Sequence, residues 1–201
     1  LDYAPQTTLV VTLSNGATIT FGPNYVVGTV VQSTPFVIQT DDVYKDGETY
    51  TLTVASTIGG NFENLVTTDT AKVTISDTTD ATTLTLNDVS VNEGTGTATV
   101  GGSLDYAPQT TLVVTLSNGS TITFVPDYVA GTIVQSTPFT IQADDVHNDG
   151  ETYEITVAST TGGNFENLDT TTNGKATVTV TDTPNTTTLT LNDVSVNEGT
   201  G

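Results

Sequence analysis

Apolar and polar side chains alternate along two stretches of the chain. Tyr153, Ile155 and Val157 fall on one parity and Thr152, Glu154 and Thr156 on the other, and Ala176, Val178 and Val180 alternate with Thr177, Thr179 and Thr181 in the same way. A period of two is the signature of a strand with one buried and one wet face. The same reading predicts strands near 82–91, 97–104, 110–117, 120–125, 137–142, 151–158 and 175–182. Asn118-Gly119, and Asn15-Gly16 before it, supply the left-handed pair that a two-residue hairpin requires. Threonine and valine dominate the chain, and their β-branched side chains suit pleated strands better than helices. Seven short strands with turn signals between them predict an all-β protein built as a Greek-key β-sandwich.

The pattern repeats. Residues 1–21 return almost unchanged as residues 104–124, an offset of 103, and TTLTLNDVSVNEGTG at 82–96 returns at 187–201, an offset of 105. Two extra residues near Asn173 and Gly174 account for the difference. A unit of roughly 100 residues is long enough to bury its own core. The order of the blocks predicts three parts: 1–79, a module lacking its first strands; 80–183, a complete module; and 184–201, the opening strand segment of a following module. That last segment is expected to complete the first module of a neighbouring molecule, head to tail, by strand donation.

Charge narrows the chemistry. The 201 residues carry 23 acidic side chains against 3 basic ones, a net charge of −20, which excludes sequence-independent binding to nucleic acid or anionic lipid. No stretch is apolar enough to insert this region into a membrane. Cysteine is absent, so disulfides and thiolate metal sites are excluded. If successive strands run up and down the sandwich, Glu93, Asp144, Asp145, Asp149, Glu151 and Asp182 collect at one pole, while Asp80, Asp105 and the turn at Gly163 to Asn167 collect at the other. Carboxylates that converge without lysine or arginine repel one another until a hard cation neutralises them. Oxygen-only ligation points to Ca2+ rather than zinc or copper. Asp41, Asp42, Asp46 and Asp77 hold the matching positions in the first module, and Glu198 matches Glu93 in the final segment. The loops beginning at Asp41 and Asp144 resemble an EF-hand only superficially, because Tyr44 and His147 stand where a ligand is needed.

Nothing in the sequence assembles a catalytic site, and no enzyme activity is expected. The single histidine, His147, is matched by Tyr44 in the sister module, and the serines have no partner base. Paired carboxylates could hydrolyse glycosides, but a chain without tryptophan offers little platform for a sugar.

SVNEG, TLSNGSTITF, the acidic DDV…DGE loop, GGNFENL and TVTVTD together resemble the tandem immunoglobulin-like extender repeats of the giant RTX adhesins. The resemblance spans the whole chain. It implies an immunoglobulin-like sandwich in tandem that binds calcium within and between modules, with Glu93, Asp144, Asp145 and Asp182 as the motif acids of the complete module. It further implies a secreted, extracellular stalk on the bacterial surface, anchored at the outer membrane, projecting a ligand-binding tip for adhesion and biofilm formation, with neighbouring identical modules as its partners. At the short junction from Ser76 to Asp80, calcium is expected to bridge carboxylates and stiffen the joint. The alternative reading is a calcium-dependent carbohydrate- or protein-binding module, and near-identical sister units favour the spacer over it.

Overall fold

The computed structural model describes residues 1–199, and all its regular structure is β. The chain divides into two compact units, Leu1–Thr79 and Asp80–Gly201. The end of the terminal repeat, Thr200 and Gly201, lies outside the described residues.

In the first unit, β1 (Leu9–Leu13), β2 (Thr18–Phe21), β3 (Thr49–Gly59) and β4 (Thr70–Thr74) form one four-stranded sheet in the order β2-β1-β3-β4. Asn15 and Gly16 turn the β1–β2 hairpin, with Gly16 at φ +84° as the left-handed position demands.

In the second unit the chain continues through β5 (Ala81–Leu86), β6 (Val89–Asn92), β7 (Thr97–Ala98) and β8 (Gly101–Leu104). It then forms β9 (Leu112–Leu116), β10 (Thr121–Phe124), β11 (Val134–Gln135) and β12 (Phe139–Thr140). The last three strands are β13 (Glu151–Thr161), β14 (Asn167–Asn173) and β15 (Lys175–Thr181). One sheet runs β10-β9-β13-β15-β6, a second runs β11-β8-β5-β14, and β12 pairs with β7. The two larger sheets share a core of Leu84, Leu86, Leu104, Leu112, Val114, Leu116, Ile122, Phe124, Ile155, Val178 and Val180, all buried. Their approach is close. A Cβ on Gly102 of β8 would meet Ile122 Cδ1 of β10 at 2.8 Å, so any side chain here would force Ile122 to shift. The arrangement is compatible with a β-sandwich.

Two predicted strands prove to be pairs of strands. The stretch 82–91 breaks at Asn87-Asp88, with β5 in one sheet and β6 in the other. Asn87 N–H donates to Gly101 O at 2.9 Å, and Asp88 Oδ1 accepts from Thr177 N–H at 2.7 Å, so the crossover peptides keep their partners. The stretch 97–104 divides around the buried Val100 in the same way. β14 was not predicted, since NLDTTTN has no apolar alternation. It is held by parallel pairing to β5 and by Asp169, which accepts hydrogen bonds from Thr171 and Thr172.

Truncating a side chain sealed between the sheets is expected to cost far more than truncating its exposed neighbour. Phe124→Ala should destabilise the second unit by about 3–5 kcal/mol, whereas Val125→Ala at a surface position should stay within about 0.5 kcal/mol. Urea unfolding followed by circular dichroism checks both.

Candidate metal centre

Three segments far apart in sequence deliver one carboxylate each to an end of the second unit. β6 pairs in parallel with β15, Val91 beside Val180 and Asn92 beside Thr181. Glu93 N–H extends that ladder by donating to Thr181 O at 2.9 Å, and Thr183 N–H donates back to Glu93 Oε1 at 3.0 Å. The Glu93 side chain is thereby drawn inward, and the residue is only 3 % exposed. β15 ends one residue before Asp182, which brings that carboxylate alongside. Asp149 arrives from the loop preceding β13. The next residue, Gly150, can pass close to β15 because it has no Cβ; one added there would sit 2.8 Å from Val180 O. As a result, one carboxylate oxygen from each of Glu93, Asp149 and Asp182 lies within 4.8 Å of the others.

The electrostatics of this triad are unfavourable as they stand. The Thr183 N–H lowers the pKa of Glu93, but burial, hydrogen bonding with the Asp182 side chain and the negative charges of Asp182 and Asp149 outweigh it and hold the group above the usual carboxylate range. Glu93 Oε2 and Asp182 Oδ1 are buried with no hydrogen-bond partner, and so is Gln142 Oε1. Gln142 belongs to the same corner, because its carbonyl accepts from Gly94 N–H at 3.1 Å and its amide reaches Asp149 O at 3.5 Å. The one lysine of this unit, Lys175, is engaged elsewhere, 3.3 Å from Glu154. The Glu93, Asp182 and Gln142 oxygens left without a partner, beside the exposed Asp149 carboxylate, could hold a hard cation.

The other acids named from sequence occupy different places. Asp144 packs against Gly94, where an added Cβ would come within 2.7 Å of Asp144 Cβ, and its Oδ1 accepts from Asn185 at 3.0 Å. Asp145 Oδ1 caps His147 N–H at 2.6 Å. Neither belongs to the triad. Asp80 donates its backbone N–H to Glu166, a partnership with the turn at Gly163 to Asn167. In the first unit Asp41, Asp46 and Asp77 line one pocket, with Asp46 N–H 3.4 Å from Asp77 Oδ2, while Asp42 Oδ1 accepts from Tyr44 N–H at 2.8 Å. Glu198 is exposed on the terminal segment. Gln142 and Thr183 were missed. The recurrence of Gln142 as Gln39 at the repeat offset was the available signal for the first.

The second unit, all-β, brings one buried, one exposed and one half-buried carboxylate together at its end, an arrangement that could hold a metal ion. The chain belongs to the LapA domain family, which matches it twice, over residues 1–78 and 80–183. LapA is a large adhesion protein involved in biofilm, so the family places the chain among cell-surface adhesion proteins. No curated protein matches the chain.

Because Glu93 takes up its proton more readily folded than unfolded, the metal-free unit should lose stability as pH rises from the ordinary glutamate range through the raised folded value. The effect of this group is stabilising below that window and gone above it. Glu93→Gln should flatten this part of the profile, read as the difference between the two proteins' melting temperatures across pH in chelator.

Proposed function

We propose that the chain is a calcium-stabilised extender region of a secreted adhesin, a non-catalytic spacer whose immunoglobulin-like modules stand in tandem on the bacterial surface and hold a ligand-binding tip away from the outer membrane that anchors the parent. Membership of the LapA domain family supports the adhesive setting. The observation that carries the calcium reading is the buried Glu93 carboxylate, its Oε2 unpartnered, converging with Asp149 and Asp182.

Glu93, Asp149 and Asp182 would hold the ion, with Gln142 Oε1 as a neutral fourth oxygen. When bound, the ion supplies positive charge that cancels the mutual repulsion of the three acids. Asp182 directly follows β15, Glu93 directly follows β6 and Asp149 precedes β13, so the three ligands would pin these strands at this end. Flexible oxygen ligands of mixed type suit calcium better than magnesium, which demands a stricter octahedron. Extracellular calcium modules bind in the range of about 10⁻⁴ to 10⁻³ M, so such a site fills outside the cell and empties within it.

Mass action sets the size of the effect: calcium at ten times its dissociation constant should add about 1.4 kcal/mol to the stability of the unit. Calorimetric titration should show binding that Asp182→Asn weakens at least tenfold, and the melting temperature should rise in millimolar calcium, remain unmoved by equal magnesium, and fall back in EDTA. A melting curve indifferent to calcium after chelation would overturn the reading.

A further inference from the structure

The chain contains three asparagine–glycine bonds, Asn15-Gly16, Asn118-Gly119 and Asn173-Gly174. A glycine after asparagine has no side chain to shield its nitrogen, which can therefore reach the asparagine Cγ and close a five-membered imide. The first two bonds turn equivalent hairpins and form a matched pair. Gly16 N–H donates to Leu13 O and Gly119 N–H to Leu116 O, each at 2.9 Å, and φ is +84° at Gly16 and +85° at Gly119. Both asparagines are exposed, and a Cβ on either glycine would meet nothing within 4 Å, so each tip has room for the ring.

One side chain separates the pair. Two residues after the asparagine the first hairpin has Ala17 and the second has Ser120, each 5 % exposed. Ala17 N–H donates to Asn15 Oδ1 at 3.1 Å, and alanine brings no hydroxyl. Asn118 Oδ1 accepts from Ser120 N–H at 3.0 Å and from the Ser120 hydroxyl at 2.8 Å. Two donors thus converge on the carbonyl oxygen of the carbon under attack, the arrangement of an oxyanion hole. Negative charge grows on that oxygen as the Gly119 nitrogen adds to Cγ, so both bonds strengthen in the transition state more than in the ground state. The third bond is less favourably placed: a Cβ on Gly174 would run into Thr170 O, and the Asn173 amide donates to Thr85 Oγ1 at 3.4 Å across the β14–β5 pairing.

We propose that the β9–β10 hairpin is a self-modifying site, at which Ser120 speeds the conversion of Asn118 to aspartate and isoaspartate. The Gly119 nitrogen, having lost its proton to water or hydroxide, bonds to Asn118 Cγ. The Cγ–Nδ2 bond breaks, and Nδ2 leaves as ammonia after taking up a proton from solvent. Water then adds to one of the two imide carbonyls, which leaves Gly119 joined either to the main-chain carbonyl of an aspartate or to the side-chain carbonyl of an isoaspartate. No electrons are exchanged and water is the co-reactant. The product gains a negative charge, and isoaspartate adds a methylene to the backbone of a turn whose geometry is fixed at two residues. The change runs one way, so it marks the age of each copy, and it is independent of any metal at the Glu93 corner.

The full 201-residue chain, held in warm and mildly alkaline buffer and mapped at intervals by mass spectrometry, tests this. Acid should appear at Asn118 about fivefold faster than at Asn15, the worth of one ordinary hydrogen bond, and slowest at Asn173. Ser120→Ala copies the residue of the sister hairpin and fits the same space; it should bring Asn118 down to the rate of Asn15. Ala17→Ser should lift Asn15 by the same factor. A Ser120→Ala substitution that merely loosened the turn would free the asparagine and raise the rate, so a fall separates the catalytic role from a structural one. In urea, where the hairpins are lost, the rates at Asn15 and Asn118 should converge. Equal rates in the folded chain, a Ser120→Ala rate unchanged or raised, a difference that survives in urea, or no acid at Asn118 would each overturn the proposal.

Discussion

Like charges that converge must be neutralised or they work against the fold, and the end of the second unit faces that constraint with Glu93 buried, Asp182 half-buried and Asp149 exposed. Glu93, Asp149 and Asp182 converge within 4.8 Å on a site where Thr183 N–H is bound to one carboxylate oxygen of Glu93 and the other has no partner. Hydrogen bonds alone leave the corner short of donors, and the unit's lysine is committed to Glu154. The local backbone nevertheless favours the convergence: the parallel ladder of β6 on β15 carries on through Glu93 N–H to Thr181 O, and Gly94 and Gly150 remove the Cβ atoms that would hold the segments apart. Acids brought this close could hold a cation shared among them.

Much of this architecture was legible in the chain. The strands predicted at 110–117, 120–125, 151–158 and 175–182 fall on β9, β10, β13 and β15 within a few residues, and β13 outruns its alternation after a register shift between Val157 and Ser159. The crossover between β5 and β6 carried a signal of its own: Leu84 and Leu86 are buried on even positions, then Val89 and Val91 face inward on odd ones. That flip of parity at Asn87-Asp88 is what a strand must do when it changes sheets, and reading 82–91 as a single strand passes over it. β14 offered no such clue, since Thr170, Thr171 and Thr172 are ordered by the Asp169 carboxylate, whose hydrogen bonds, led by that of the Thr172 hydroxyl, hold its pKa well below the usual range. Its partner is distant in sequence, and parallel pairing leaves no local mark.

The candidate site was legible in its residue types and less so in its membership. Glu93 and Asp182 follow from strand ends that must share a pole. Asp149 looked equally suited to a tight bend with Gly150, and the structure gives it both duties, because the bend is what carries its carboxylate to β15. Asp144 and Asp145 sit in the same loop, but short-range demands claim them first: one packs on Gly94, the other caps His147. Sequence spacing does not separate a carboxylate that bonds its own loop from one that points across the fold, since the difference lies in a few backbone angles.

A single short segment thus does two things in the complete unit. Val89–Asn92 closes the sheet edge, and the next residue supplies the buried acid. The two are linked thermodynamically: whatever holds Glu93 against Asp182 also holds β6 against β15, and strengthening either strengthens the other by the same free energy. In the first unit Asp46 and Asp77 also lie near each other, with Asp46 N–H 3.4 Å from Asp77 Oδ2.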